Sequence, residues 1–583
     1  MWRWASGTIS KPNSPFVVLS KALKFMRGIS LACGLMLFFG TVSLGQDSLS
    51  FPSIPGMKFR SVGPALTAGR ISDLAVNPHN PREYYVAVAS GGVWKTQNNG
   101  VSYQPLFDEQ NVYSIGCLAL DPKNPSVIWV GTGENNNQRS VAYGDGVYRS
   151  RDGGQSWEHM GLENSEHIGM IRIHPENSQV IYVAAYGPLW SAGGQRGIYQ
   201  STDGGQNWER ILHVSENTGF NEIHLDPRDP DVLYAAAHQR RRHVWTYVSG
   251  GPESAVYKSE DGGKSWRKLE SGLPKEKGRI GLAISPANPD FVYAVVEGHG
   301  TYLSRNRGES FQKQNDYETS GNYYVELVPH PTDPATVYSM DTYMHLSHDY
   351  GQNWERVPEK NKHVDNHCLW IDPKQPEHMI AGCDGGIYET WDNAAHWHYK
   401  PNLPITQFYR VALDNAEPFY HIYGGTQDNF SLGGPSQTIN DRGIVNSDWY
   451  ITNTGDGFES QIDPENPYIV YAQAQYGWLV RYDKISGEKV GIKPSPNRSD
   501  KPYRWNWDAP LLVSPHNPAR LYFAANVVFR SNDRGNNWQV ISPDLSRQID
   551  RHKLPVMGEI QSADAISYDR STSVYSNITA LEE

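Results

Sequence analysis

Apolar residues along this chain come in short runs of two textures. An alternating strand such as CLAL, IRIH or IHL leads into a turn of the form x-P-x-x-P or a near variant, and a continuously apolar strand such as SVIWVGTG, QVIYVAAYG or DVLYAAAH follows it. Alternation sets one face against a core and one toward a wetter space, whereas a run apolar at every position is covered on both faces. The turn phrase occurs ten times: NPHNP at 77, DPKNP at 121, HPENS at 174, DPRDP at 226, SPANP at 285, HPTDP at 330, DPKQP at 372, DNAEP at 414, DPENP at 463 and SPHNP at 514. Spacings of about 40 to 60 residues are those of propeller blades. A third strand follows, as in GVYRS, GIYQS, AVYKS and GIYET.

The third strand runs into a second phrase, Ser-x-Asp-x-Gly-x-x-Trp. It is strict at Ser150 to Trp157, Ser201 to Trp208, Ser259 to Trp266, Ser347 to Trp354 and Ser531 to Trp538. It is degraded in the first blade (Asn98, Tyr103), the fifth (Asn306, Phe311) and the seventh (Ala394). These residues suit a tight hairpin: aspartate accepts backbone N–H bonds, the hydroxyl closes the loop, and glycine supplies positive φ. Tryptophan is expected to seal the gap between blades. A catalytic group has no reason to be copied into every blade, so these aspartates read as scaffold.

Composition agrees with many short strands and tight turns: 583 residues hold 54 glycines, 38 prolines, 34 tyrosines and 18 tryptophans. A net charge of -11 gives no reason to expect a nucleic-acid partner, which needs a clustered basic surface. Arg240, Arg241 and Arg242 form the one compact basic run and read as a solvated turn. Near the N-terminus, Lys21, Lys24 and Arg27 precede the apolar stretch GISLACGLMLFFGTVSLG, with Ser43 and Gly45 placed for cleavage before Gln46. That is a secretory signal pattern, with Met26 an alternative start, so the mature chain is expected to be secreted or periplasmic and free of the membrane. Cleavage removes Cys33 and leaves Cys117, Cys368 and Cys383, an odd number that argues against a disulfide framework. Cys368 and Cys383 are symmetric about the turn at Lys374 to Pro376, so one bridge there stands beside the reading of buried thiols.

These phrases resemble Asp-box, or BNR, repeats. Residues 51 to 583 as a whole resemble bacterial sortilin-like (VPS10-like) or "glycosyl hydrolase" repeat proteins, through FRSVGPALTAGRI, GTGENNNQRSVAYGDGVY, HVDNHCLWIDP, DGGIYET and YGGTQDN. At blade level the group is similar to the N-terminal propeller of sortilin and to xyloglucan-cleaving endoglucanases with two propellers. The resemblance implies further blades beyond STSVYSNITALEE, which reads as the opening strand of an eleventh unit in a truncated sequence.

If both turn phrases lie at the bottom of each blade, functional groups belong at the top, in the loops between second and third strands and ahead of first strands. His363, Asp365 and His367 in HVDNH alternate, so an extended chain would point all three to one face, as metal ligands, an acid–base relay or a hydrogen-bonding surface. No metal or other cofactor is expected from spacing alone. In GTGENNNQ, Glu134 and the amides Asn135, Asn136 and Asn137 match sugar hydroxyls or peptide groups, or form a polar surface loop. Asp384, Asp428 and Asp456 sit among glycines at strand tops. In HQRRRHVWTYVSGGPE, His243, Trp245 and Tyr247 alternate, and Trp245 is a candidate for stacking on a sugar ring. The resemblance to the endoglucanases implies two carboxylates across a cleft. Gly455-Asp456-Gly457-Phe458 is similar to the surroundings of one; the other position carries Ala89 in VASGGVW, with Glu134 or Asp365 as substitutes.

The expected fold is all-β: a β-propeller of at least ten four-stranded blades, with a leader over 1–45, a seven-bladed ring over 51–400 and a partial second ring over 401–583. A single ten-bladed ring is the alternative, and Asn402 to Gln407 the expected crossing point. The expected function is a binding propeller holding a glycan or polypeptide at its top face, with Asn135, Asn136, His363, His367, Asp384, Asp428 and Trp245 as contacts. The alternative is a glycoside hydrolase using Asp456 with Glu134 or Asp365, and a third reading is a structural assembly platform.

Overall fold

The computed structural model describes residues 60–63, 66, 68–139, 141–568 and 575–583. The signal pattern lies outside them. Ten antiparallel sheets follow one another along the chain, each of four strands except the fourth, which gains a fifth. The chain is a β-propeller. Blade two shows the plan: Ile115–Leu120, Ile128–Thr132, Val147–Ser150 and Glu158–His159 pair in sequence order. Second strands such as Tyr84–Val88, Ile128–Thr132 and Ile181–Ala185 are buried at every residue, as continuous apolar runs require. Fourth strands such as Gln104–Pro105 and Glu158–His159 are short and exposed.

The Ser-x-Asp box is a self-contained turn. Ser150 Oγ donates to Asp152 Oδ1 (2.8 Å) and accepts from Gly154 N–H (2.8 Å), while Asp152 accepts from Ser156 N–H (2.9 Å) and Ser156 Oγ (2.6 Å). Gly153 and Gly154 have φ of 73° and 92°, which glycine adopts at little cost. Trp157 Nε1 then donates to the Leu106 carbonyl of the preceding blade (2.8 Å), and Trp208, Trp397 and Trp538 bridge the same way to Met160, Pro358 and Ile492. Gly153 N–H also donates to Ser126 O in the proline turn of its own blade (2.9 Å), and Gly204 does the same to Gln179. Both conspicuous motifs therefore share one end of the blade.

The first strands of blades one to seven line one central channel of about 210 Å³, contributing Asp73, Cys117, Arg172, Glu222, Leu282, Val328 and Leu369 among others. Blade seven returns to blade one: Ile71, Tyr84 and Val86 share a buried cluster with Ile380, Ile387, Leu403 and Ile405. Asn402 Nδ2 donates to Gly100 O (3.1 Å), so the segment after blade seven also runs along blade one. Blades eight, nine and ten then pack side by side, with Tyr471 of blade nine in the core of blade ten.

Three sequence readings change. The run Arg240 to Arg242 is buried, not solvated: it lies on the strand Asp229–His243 and bonds neighbouring loops. Cys368 pairs in register with Gly382 and Cys383 with Asn366, so the two side chains point to opposite faces, and Cys117, Cys368 and Cys383 are all free thiols. Of STSVYSNITALEE, residues 575–583 contain no strand, Ile578 N–H instead donating to Ala525 O (2.8 Å), and 571–574 lie outside the described residues.

Candidate functional site

At the end of the blades opposite the box turns, loops from blades one, two, six, seven, eight and nine converge on Arg70. Arg70 immediately precedes the strand Ile71–Val76. Its guanidinium makes a two-point contact with Asp384 (Nε to Oδ1 2.7 Å, Nη2 to Oδ2 2.8 Å) and also donates to Glu134 Oε2 (3.0 Å) and Tyr323 Oη (3.2 Å). Arg70, Asp384 and Glu134 are 3%, 3% and 1% exposed, so these charges are satisfied by one another rather than by water. Burial opposes the charge on Arg70, and Asp384, Tyr323 and Glu134 more than restore it, holding the guanidinium well above its ordinary range. Burial likewise opposes ionisation of Asp384, but Arg70 and His367 hold its carboxyl well below the usual carboxylate range.

From this anchor a line of carboxyls extends both ways. His367 Nε2 lies 2.6 Å from Asp384 Oδ1. Asp365 accepts from Tyr324 Oη at Oδ1 (2.6 Å), and its backbone carbonyl accepts from Asp384 N–H (3.1 Å). Burial, then the charge of Asp384, raises the Asp365 carboxyl. Asp428 also faces the carboxyls of Asp384 and Asp456. Burial is the main cause that raises Asp428 well above the carboxylate range, reinforced by Asp384 and Asp456; Asp456 is raised too, chiefly by burial. Asp428 Oδ2 is buried with no conventional donor, and Arg70 Nη2 is 3.5 Å away. An ionised oxygen left so would be costly; protonated, it becomes the donor to a neighbouring carboxylate. Asp456 is fixed from its far side by Gln475 Nε2 at 2.5 Å.

The structure thus brings Glu134, Asp365, His367, Asp384, Asp428 and Asp456 into one network. His363 is at its margin: Nδ1 bonds Val364 O (2.8 Å), and burial, which opposes protonation, is outweighed by the Cys383 side chain, raising His363 to about 10. The alternation expected of HVDNH fails because the strand begins only at Asn366 and Asp365 is left-handed, with φ of 65°. Among the described residues no group of three or more His, Cys, Asp or Glu is arranged to hold a metal ion. Asn136 Nδ2 donates to Glu134 Oε2 (2.8 Å), and the Asn135 carbonyl accepts from Arg279 (2.7 Å). The Asn136 carbonyl accepts from Arg240 (3.2 Å), and Asn137 O from Arg242 (2.8 Å). Trp245 is half-buried, stacked on His243 at 4.5 Å, and Tyr247 is fully buried.

Sequence reasoning missed Arg70, Tyr323, Tyr324 and Arg139. One signal was present: Gly69-Arg70-Ile71 and Gly278-Arg279-Ile280 repeat at the starts of blades one and five, and both arginines point into this network. Aromatic rings border Asp456. Tyr409 stacks on Phe458 (4.8 Å), Trp507 meets Phe458 and Tyr476 edge-on, and Trp478 is 63% exposed.

Fold and site together define a β-propeller with a buried carboxyl network at the end away from its repeat turns. No protein-family model matches the chain. It is 24% identical over 362 residues, 53% of its length, to a probable oligoxyloglucan-reducing end-specific xyloglucanase of Neosartorya fischeri, of which 42% is covered. It is 23% identical over 282 residues to the photosystem II assembly lipoprotein Ycf48 of a Synechococcus species, covering 47% of this chain and 75% of that protein. A solved GH74 xyloglucanase of Xanthomonas campestris aligns with a TM-score of 0.49 and 14% identity over 82% of this chain and 80% of that one. The chain spans less than half the length of the curated xyloglucanases that it matches. These are distant relationships to propeller proteins.

Proposed function

We propose that this protein is a glycoside hydrolase acting on a polysaccharide, a xyloglucan-type β-glucan being the first candidate. The observation that carries the reading is the line of buried carboxyls at the seam of blades eight and nine, where burial raises both Asp428 and Asp456. Glycoside hydrolysis needs one carboxyl that keeps its proton for the leaving oxygen and another that is ionised across the cleft. In this reading Asp456, its carboxyl raised chiefly by burial, is the acid. Asp365, beside Asp384 and with Oδ1 oriented by Tyr324, is the base. Asp428, which faces Asp456, is assigned to tuning it. Glu134 is assigned to structure, since Arg70, Asn136 and the Ala142 N–H occupy its oxygens. The distant similarity to xyloglucanases supports the substrate class. The seven-bladed ring over 51–400, the partial ring over 401–583 and a secreted or periplasmic location belong to the same proposal. Among the described residues no helix is long and apolar enough to cross a membrane.

A second reading, a propeller that binds a glycan or polypeptide without cleaving it, is favoured by Ala89, a buried alanine where the resemblance implies a carboxylate. A time course of reducing ends released from xyloglucan, run beside retention of the Asp456→Asn variant in a xyloglucan gel, separates the two. Release by the wild type supports hydrolysis; retention with no release supports binding; neither contradicts both.

A further inference from the structure

A second pocket of about 310 Å³ opens beside this network, at the lower end of the ~300–1,000 Å³ of small-molecule sites. It is lined from the first ring by Arg139, Trp190, Arg242 and Val244, and from the later chain by residues near Asn506 and by 575–579. Two guanidiniums therefore face one space, and among the described residues lining it none is Asp or Glu. Arg242 is held by the Asn137 carbonyl (2.8 Å) and Asn322 Oδ1 (3.0 Å), both uncharged. Arg139 donates to no described acceptor; its guanidinium lies 4.1 Å from the centre of the Trp507 ring. Burial, with the charge of Arg139 adding to it, pulls Arg242 down to about 10. Asp456 acts on Arg139 from outside the lining, and the two guanidiniums that face the pocket itself would stabilise an anion entering it. Trp190, 40% exposed, and Val244, 66% exposed, supply apolar surface that an inorganic anion would not need but a sugar ring would.

We propose that this pocket binds a carboxylate-bearing sugar unit, the carboxylate between Arg139 and Arg242 and the ring against Trp190. The ligand class rests on the glycan reading above, and it extends that reading from a neutral chain to one with uronic-acid units.

The test is isothermal titration of the full-length protein with D-glucuronate, D-glucose and sulfate. Expected are glucuronate binding that weakens with added salt, and glucose and sulfate each about tenfold weaker or more. A charge-assisted hydrogen bond is worth ~1.5–3 kcal/mol, so Arg139→Gln should weaken glucuronate by about ten- to a hundredfold at an unchanged thermal midpoint, with partial recovery in Arg139→Lys. Trp190→Ala should weaken glucuronate but not sulfate. Binding is read by heat and needs no cleavage, so a failed hydrolase reading would not hide this site. No heat from glucuronate, equal binding by sulfate, or indifference to Arg139→Gln would each overturn the inference, whatever the outcome of the xyloglucan assay.

Discussion

Three carboxyls within one hydrogen-bonded line have different roles because their neighbours differ. Asp384 is tied to Arg70 and His367 and stays ionised, while Asp428 has only carboxyls beyond that guanidinium and keeps its proton. The sign of the Asp428 shift sets its effect on stability. A carboxyl raised in the folded state contributes stability that is complete below its ordinary value near ~4 and is lost as pH rises toward the folded value. Asp428→Asn removes that loss, so at pH 7 it should leave the thermal midpoint unchanged or higher while cutting glycan cleavage by about a hundredfold or more. The wild-type rate should also fall on the alkaline side as the raised Asp456 carboxyl loses its proton. Arg70→Met is the opposite case. It strands Glu134 and Asp384 in a buried site, and should cost about 3–5 kcal/mol, read as a lower denaturation midpoint.

At the scale of elements, the box turn was legible from sequence in chemical detail, because every bond it makes is within eight residues of itself or to a neighbouring blade in a repeating pattern. Ser150→Ala leaves the buried Gly154 N–H without an acceptor and should cost about 1–3 kcal/mol, checked by a fall in thermal midpoint. The box aspartates also predict an acid limit. Side-chain and backbone hydrogen bonds from Ser156 hold Asp152 down to about 2, and Asn207, Ser265 and His396 do the same for Asp203, Asp261 and Asp392. A carboxyl lowered in the folded state stabilises above its unfolded value and loses that contribution as pH falls through the folded one. The thermal midpoint should therefore drop between about pH 4 and pH 2. Arg240 to Arg242 were misread for a matching reason: a charge run normally stays in water, and the carbonyls that bury it come from loops about a hundred residues earlier.

Across the whole molecule, the propeller and its ten blades followed from repeat spacing. What spacing could not supply was the identity of the central cation. Arg70 becomes a hub only when blades one, two, six, seven and eight meet, a juxtaposition set by the return of blade seven onto blade one. The same convergence gives different partners to carboxyls that sequence had grouped: Glu134 is bound by Arg70, Asp365 by Tyr324 and Asp456 by Gln475. The most direct test compares those three by substitution, measuring reducing ends released from xyloglucan together with the thermal midpoint. The account predicts that Asp365→Asn and Asp456→Asn each lose about a hundredfold or more of the wild-type rate at an unchanged midpoint, while Glu134→Gln lowers the midpoint. A wild type that releases no reducing ends, or an Asp456→Asn protein as active as the wild type, would contradict it.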